Sequence, residues 1–204
     1  MFFDIGANIG NWALANIDKC DRIISVEASP ITFERTLSHA RHDKITLLNY
    51  AVCNNGGKDI VFYQARADVL STVNKDWLVA PTSRFYNQPY TEIVCKTITI
   101  DDLIARYGVP DLIKIDVEGG EYECVSSLST KVKTLCFEWA SEVNEITFKC
   151  IDYLTTLGFS RFYLKHSDAY TFRPAESDYY DIDQIKARLS ATIAKRDWGM
   201  VWCI

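Results

Sequence analysis

Strand-like and helix-like segments alternate along the chain, and this alternation constrains the fold more than any other feature. The first strand is predicted over Phe2–Ile5 and ends at Gly6, and the next helix is predicted over Asn11–Cys20. The following elements are a strand at Ile23–Val26, a helix at 30–42 and a strand at 45–52. Strand–helix repeats with short connections favour an α/β fold, a doubly wound and mostly parallel sheet with helices on both faces.

The second half of the chain resumes the alternation after two β-branched segments, Asp59–Arg66 and Thr91–Thr99, which are predicted as strands. The later predicted helices are Ile100–Tyr107, Glu121–Leu128, Val143–Leu157 and Ile182–Lys195. The later predicted strands are Leu112–Val117, Thr134–Glu138, Phe162–Lys165 and Met200–Ile204. The 204 residues are therefore interpreted as a single domain with one insertion.

The insertion is the long segment 67–90, which separates the two β-branched strands. Loops of this length in compact domains are usually functional or mobile, so we predict a lid on the substrate side; a passive surface excursion is the alternative. Its aromatic residues Trp77, Tyr86 and Tyr90 are candidates for packing against a substrate. Ser71 and Thr72, at the base of the lid, are placed to hydrogen-bond a ligand.

Charge and cysteine content exclude several classes of protein. The net charge is −5, without the basic surface that dedicated nucleic-acid or membrane-surface binders need. No apolar run approaches the roughly 20 residues of a membrane helix. The seven cysteines have no metal-ligand spacing and are interpreted as reduced, mostly buried thiols of a cytoplasmic protein. Because the chain begins inside its first strand, we hypothesise a domain cut from a longer polypeptide.

The turn after the first strand reads D-x-G-x-N-x-G, from Asp4 through Gly6 and Asn8 to Gly10. It fails the dinucleotide pattern G-x-G-x-x-G because Asn8 and Asn11 stand where glycines are required, which disfavours a nicotinamide oxidoreductase. Glu27, at the end of the second strand, is placed to take both hydroxyls of a ribose; a helix N-terminal acid is the alternative. Together they indicate an adenosine ligand without a phosphate chain, with S-adenosylmethionine as the obvious candidate.

A third group of polar residues surrounds the end of the fourth strand of the predicted sheet. Lys114 and Asp116 share one side of this strand, and Glu118 follows it before Gly119–Gly120. Glu138 ends the neighbouring strand at the same edge, where open α/β sheets bind ligands. One carboxylate here, Asp116 or Glu138, would act as a general base, or the two would bind a divalent cation. The alternative for Glu118 and Glu121 is a helix N-terminal role.

Two further residues near this edge are candidates for chemistry. His166 follows the sixth strand and is a candidate base, although a lone histidine is more often structural. Trp139 follows Glu138 directly, and both Trp139 and Glu118 are candidate substrate contacts. His39 and His42 lie on a polar helix face and are interpreted as solvated.

Four segments in order resemble the FkbM-type S-adenosylmethionine-dependent methyltransferases, over roughly residues 2–140. They are DIGANIG (4–10), VEASP (26–30), NYA (49–51) and LIKIDVEGGE (112–121). The resemblance implies a Rossmann-like class I methyltransferase fold, with a seven-stranded sheet and an antiparallel last strand. It also implies O-methylation of hydroxyls on sugars or polyketide-type products.

The resemblance further implies residue roles. The methionine part of the cofactor would lie on Asp4, Gly6, Ala7, Asn8 and Gly10, with Asp116 nearby. The ribose would lie on Glu27 and Ala28, and the adenine beside Asn49 and Ala51. Family members usually have residues before the first strand that help cover the site, and this chain has none; glycosyltransferase domains upstream would supply its acceptor.

We therefore predict an O-methyltransferase that acts on a hydroxyl of a sugar or glycan. The alternatives are a polyketide or other small-molecule acceptor, and a non-catalytic S-adenosylmethionine-binding module of a larger enzyme. The carboxylates Asp116, Glu118 and Glu138 argue against the non-catalytic module, and Lys114 and His166 complete the catalytic candidates.

Overall fold

The computed structural model describes residues 1–192 and 196–204, which form a large mixed sheet, a small second sheet and surrounding helices. The strands are β1 (Phe2–Ile5), β2 (Ile23–Glu27), β3 (Ile45–Asn49), β4 (Ala51–Val52), β5 (Asp59–Ala65), β6 (Tyr90–Ile98), β7 (Leu112–Ile115), β8 (Thr134–Ala140), β9 (Phe162–His166) and β10 (Trp198–Cys203). The helices are α1 (Asn11–Asn16), α2 (Pro30–His39), α3 (Asp76–Val79), α4 (Ile100–Tyr107), α5 (Glu121–Val125), α6 (Asn144–Thr156) and α7 (Ile182–Ser190).

The large sheet has seven strands in the order β3-β2-β1-β7-β8-β10-β9. The pairs from β3 to β8 are parallel, whereas β10 is antiparallel to both β8 and β9. This topology confirms the predicted fold class, including the antiparallel last strand. The strand order reverses between β1 and β7, and ligands of doubly wound sheets bind at such a switch point.

Each face of the large sheet packs its own helices, because successive side chains of a strand point in opposite directions. On one face, Phe3 and Ile5 belong to a core that includes residues of α4, α5, α6 and α7. On the other face, Phe2 packs in a smaller core with Trp12 and Ala13 of α1. Asp4 shares this second face with Phe2, so its carboxyl group is buried below α1.

The predicted strand at 45–52 is wrong in its extent, because it divides at Tyr50 between the two sheets. β3 pairs with β2, whereas β4 pairs with β6 in a three-stranded sheet that β5 completes. The side chain of Asn49 donates to the carbonyl oxygens of Glu27 and Ala28, at 2.8 and 3.0 Å, and thereby ends the pairing with β2. The chain then turns toward the smaller sheet, which brings β5 to the ligand-binding edge.

Helices α2 and α4 begin where side chains satisfy free backbone N–H groups. The Ser29 hydroxyl accepts from Thr32 N at the start of α2, with Pro30 in the first turn. Thr99 and Asp102 form a capping box at the start of α4. Helix α7 ends at Ser190, and the predicted positions Ile193 and Lys195 lie outside the described residues.

Among the described residues, no helix is long and apolar enough to cross a membrane. All seven cysteines are free thiols, and all but Cys20 are buried.

Candidate active site

A cavity of about 310 Å³ opens at the carboxyl ends of β1, β2 and β7, at the point where the strand order reverses. This volume is within the range of small-molecule sites. The predicted residues that line it are Gly6, Ala7, Asn8, Glu27, Ala28, Ala51, Ser71, Lys114, Asp116 and Glu118. The structure therefore brings most of the cofactor candidates together with two members of the carboxylate group.

The turn between β1 and α1 depends on a glycine that lies against the neighbouring strand. Gly6 has φ 73°, and a Cβ atom there would lie 1.7 Å from the carbonyl oxygen of Asp116. The N–H groups of Gly6 and Ala7 both donate to Val26 O, at 3.0 Å. Gly10 does not line the cavity; a Cβ atom there would meet the Cβ atom of Ala40 at 2.4 Å, so it allows α2 to pack closely.

Glu27 connects the glycine turn to the cavity. Its carboxylate oxygens accept from Asn8 N and Ser29 N, both at 2.9 Å. The residue is 8% exposed, and burial raises the pKa of its carboxyl group to about 7 although both hydrogen bonds oppose this shift. Each oxygen retains a lone pair that can accept from a ligand hydroxyl. This geometry suits the two hydroxyls of a ribose.

An apolar end of the cavity lies beside Glu27. Ala28, Val52, Phe62 and Val73 line it, and they offer surface for a flat aromatic base. Sequence reasoning missed Phe62 and Val73, since both come from segments after β4, far from the recognised motifs. The period-two pattern of β5 places Phe62 on its buried face and was the only available signal. Asn49 does not line the cavity and acts through the carbonyl oxygens described above.

Lys114 lies at the base of the cavity and links the glycine turn to two carboxylates. Its ammonium donates to Gly6 O at 3.0 Å and lies 3.2 Å from Asp4 Oδ1 and 3.5 Å from Asp116 Oδ2. Burial lowers the pKa of Lys114, but the carboxylates of Asp4 and Asp116 outweigh it and raise the pKa above its usual value. Lys114 is therefore a permanent cation and not a proton acceptor. Asp4 is fully buried below the cavity, where burial raises its pKa.

Three carboxylates form a group at one end of the cavity, here called its mouth: Asp116 and Glu118 line the cavity, whereas Glu138 does not line it and belongs to the group through its distance to these two. Asp116, Glu118 and Glu138 each offer an oxygen that lies within 4.8 Å of the other two. Burial raises the pKa of both Glu118 and Glu138, and the nearby carboxylates raise each further. Glu118 has φ 58°, a conformation that is uncommon outside glycine and is often found at functional sites. The group can share a proton or bind a cation.

Glu121 lies behind this group and does not line the cavity. Its Oε1 accepts from Val117 N and Gly119 N, both at 3.2 Å. Burial raises its pKa to about 7. Glu121 thus stabilises the turn that carries Glu118, in line with the alternative of a structural acid.

The segment 67–90 covers the same mouth. Asn74 Nδ2 donates to Gly119 O at 3.0 Å, and Trp77 Nε1 donates to Glu118 Oε2 at 2.9 Å. Ser71 lines the cavity while its Oγ accepts from Ala65 N at 3.0 Å. Thr72 is buried, and its Oγ1 accepts from Asn74 N at 2.8 Å. The segment thus lies where a lid would lie, with Ser71 on the cavity side and Thr72 inside the segment.

The aromatic candidates are not arranged as a platform for a substrate. Trp77 is only 3% exposed and packs on Phe85, with ring centroids 5.2 Å apart, and Trp139 is only 1% exposed. Tyr86 is 55% exposed but does not line the cavity, and Tyr90 packs edge-on against Tyr63. Burial therefore argues against ring stacking of a substrate on Trp77 or Trp139, because their faces are already covered by the protein.

His166 lies on the wrong side of the sheet for the predicted base. Lys165 and Glu138 both pair with Met200, so they share a face, and His166 points to the opposite one. Its Nδ1 lies 2.7 Å from Asp197 Oδ2, and its ring is edge-on to that of Trp139, 5.7 Å away. His166 does not line the cavity, and this placement argues against a role as general base there.

Further cavity-lining residues come from positions that carry no motif. Arg35 and Asp68 form an ion pair, and Asp168 and Tyr170 follow β9. They approach the cavity only through the tertiary fold, so the local sequence offers no signal for them.

A family model described as the methyltransferase FkbM domain matches residues 4–165, which is most of the chain. Solved structures with similar folds include a precorrin 8w decarboxylase of Methanobacterium thermoautotrophicum (11% identity, 98% of this chain and 79% of that chain, TM-score 0.49). Another is a precorrin-6y C5,15-methyltransferase of Geobacter metallireducens (10% identity, 100% and 78%, TM-score 0.48). Likeness at this level does not bear on substrate. No curated protein matches the chain.

Proposed function

The chain belongs to the FkbM family of methyltransferases, and we propose that it transfers the methyl group of S-adenosylmethionine to a hydroxyl of a sugar or glycan. The observation that carries this proposal is a single cavity with two chemically distinct ends. The Glu27 carboxylate and an apolar wall lie at one end, and the group of Asp116, Glu118 and Glu138 lies at the mouth.

Different residues of the cavity would contact the adenine, the ribose and the methionine part of the cofactor. The adenine would lie among Ala28, Val52 and Phe62, and the ribose hydroxyls would donate to Glu27. The methionine part would extend past Gly6 toward Asp116. The chain thereby positions the activated methyl group, and in-line positioning supplies much of the rate of such a transfer.

A sugar hydroxyl is a poor nucleophile at neutral pH, so the carboxylates at the mouth must activate it. The hydroxyl oxygen bonds to the methyl carbon, the carbon–sulfur bond breaks with its electron pair on sulfur, and the hydroxyl proton passes to a carboxylate. Glu138 suits the proton acceptor because its pKa is raised by burial and by the nearby carboxylates. S-adenosylhomocysteine and a methyl ether result.

The same carboxylates also fit a divalent cation. The three oxygens lie within 4.8 Å of one another, a spacing that the oxygen shell of a hard cation accommodates. When bound by Asp116 and Glu138, such an ion would acidify and orient a hydroxyl pair. The two modes differ in one measurement, because only the cation mode loses turnover when EDTA is present.

The acceptor class rests on the family resemblance and on the carboxylate-rich mouth, which disfavours an anionic acceptor. A polyketide-type hydroxyl is the second candidate. Free thiols throughout the chain agree with the proposed cytoplasmic location. A glycosyltransferase domain on the same polypeptide would supply the acceptor.

The test is a methyl-transfer assay with S-adenosylmethionine and a panel of sugars, glycans and polyketide-type alcohols, read by mass spectrometry. We expect a mass gain of one methyl group on a sugar, and a fall in turnover of at least about 100-fold for Asp116→Ala. Unchanged turnover in Asp116→Ala would contradict a role of Asp116 beside the reacting groups, and unchanged turnover in Glu138→Ala would contradict Glu138 as the proton acceptor. Binding of S-adenosylhomocysteine without turnover on any acceptor would instead support the non-catalytic module.

A further inference from the structure

The segment between β9 and α7 is fixed on α1, the helix that follows the glycine turn. Asn16 of α1 donates from Nδ2 to Tyr170 O at 3.0 Å and accepts from Arg173 Nη2 at 2.9 Å. The Arg173 guanidinium also lies over three aromatic rings, at 5.8, 5.8 and 5.0 Å from the centroids of Phe2, Trp12 and Trp202. These contacts hold the start of the segment beside the cavity.

Asp168 is the acidic residue that this segment contributes to the cavity wall. It follows β9, at one edge of the large sheet, whereas the apolar adenine wall comes from the other side, beyond β3. Asp168 is therefore on the methionine side of the cavity, and it shares the lining with Asn11 and Trp12 of α1.

This side of the cavity has more carboxylates than cations. The Lys114 ammonium is already divided between Asp4 and Asp116, and Asp168 has no ion-pair partner among residues 1–192 and 196–204. Partial burial and the charge of Asp116 raise the pKa of Asp168. The charges of Lys114 and Lys165 and the N–H of Ala169 oppose this shift, but none of them forms an ion pair with Asp168. A carboxylate held in the cavity wall without an ion pair favours a bound cation.

We propose that Asp168 binds the α-ammonium group of the methionine moiety of S-adenosylmethionine. The inference rests on the proposed function, because it needs this cofactor in the cavity. An acceptor sugar carries no positive charge, so it would not compensate the Asp168 carboxylate. The residue lies beyond the family match, which ends at residue 165, and it extends the cofactor site into the C-terminal part of the chain.

The test compares two ligands by isothermal titration calorimetry, S-adenosylhomocysteine and 5′-methylthioadenosine, which lacks the amino-acid head. We expect Asp168→Asn to weaken S-adenosylhomocysteine at least tenfold, since hydrogen bonds between charged groups are among the stronger ones. The affinity for 5′-methylthioadenosine should stay within about twofold of the wild type, because that ligand has no ammonium. Asp168→Glu keeps the charge and should recover part of the lost affinity.

The control is Asp183→Asn on the exposed surface of α7, which makes the same charge change away from the cavity and should leave both affinities unchanged. Equal weakening of both ligands in Asp168→Asn, or no weakening of either, would overturn this inference alone. Failure of the wild-type chain to bind S-adenosylhomocysteine would instead overturn the proposed function, and this inference with it.

Discussion

At the scale of single residues, Glu27 makes the sharpest prediction. Its two oxygens already accept from Asn8 N and Ser29 N, and they face the cavity. Glu27→Gln replaces one acceptor by an amide donor, so it can no longer accept from both ribose hydroxyls. We expect S-adenosylhomocysteine to bind about 10- to 100-fold more weakly, measured by calorimetry at pH 8, where the wild-type carboxyl group is mostly ionised.

The matched control for Glu27→Gln is Glu123→Gln, which makes the same change on the exposed side of α5. Its affinity for S-adenosylhomocysteine should equal that of the wild-type chain. If the two variants bound the ligand equally well, the ribose would not lie on Glu27.

Residues at strand ends were predictable, because a strand that ends in an acid delivers it to the ligand edge whatever the rest of the chain does. Glu27 and Asp116 reach the cavity in this way, whereas β8 continues past Glu138 to Ala140, and Glu138 does not line the cavity. Phe62 and Asp168 were not predictable, since other elements must fold first to carry them to the cavity. His166 is the last residue of β9, but the register of β10 against β8 and β9 decides its face, and one sequence does not reveal register.

At the scale of elements, the turn between β1 and α1 depends on the absence of a side chain at Gly6. Alanine at this position would be destabilising for two reasons. Its backbone would be strained at a φ of 73°, and its Cβ atom would clash with Asp116 O at 1.7 Å. We expect Gly6→Ala to lower the free energy of unfolding by more than about 3 kcal/mol, measured by urea denaturation.

Gly57→Ala is a control that tests the backbone strain without the steric clash. The φ of Gly57 is 79°, but a Cβ atom there would have no heavy atom within 4 Å. Gly57→Ala should therefore cost only about 1–2 kcal/mol, the cost of the backbone conformation alone. Equal destabilisation by the two variants would mean that the contact between Gly6 and the end of β7 is not what requires glycine.

The type of each secondary-structure element was easier to predict from the sequence than the strand or segment with which it pairs. The segment 45–52 reads as one mostly apolar strand, yet it divides because Asn49 bonds across to the end of β2 and sends β4 to the second sheet. The position of segment 67–90 follows likewise from contacts far along the chain, between Trp77 and Glu118 and between Asn74 and Gly119. Local patterns give a type for each element, but long-range hydrogen bonds decide which sheet it joins.

At the scale of the whole molecule, the ligand-binding edge concentrates buried acids that the folded chain must accommodate without a ligand. Burial raises the pKa of Glu27 and of Glu121 to about 7, and it raises those of Glu118 and Glu138 as well. The folded protein therefore binds more protons than the unfolded chain between about pH 4.5 and pH 7. The free energy of unfolding therefore falls as the pH rises through this range. The stabilisation that comes from the protonated carboxyl groups is lost above their pKa in the folded protein.

We expect the ligand-free protein to have a higher free energy of unfolding at pH 6 than at pH 8. Glu27 and Glu121 should each contribute about 1 kcal/mol to the difference, since with a pKa of about 7 each takes up on average about half a proton on folding across this pH range. Urea denaturation at both pH values measures it, and the double variant Glu27→Gln, Glu121→Gln should reduce the difference. A stability that stayed level or rose from pH 6 to pH 8 would show that these acids are ionised at no cost in the folded protein. The ligand-binding edge would then be more hydrated than the burial of Glu27 and Glu121 implies.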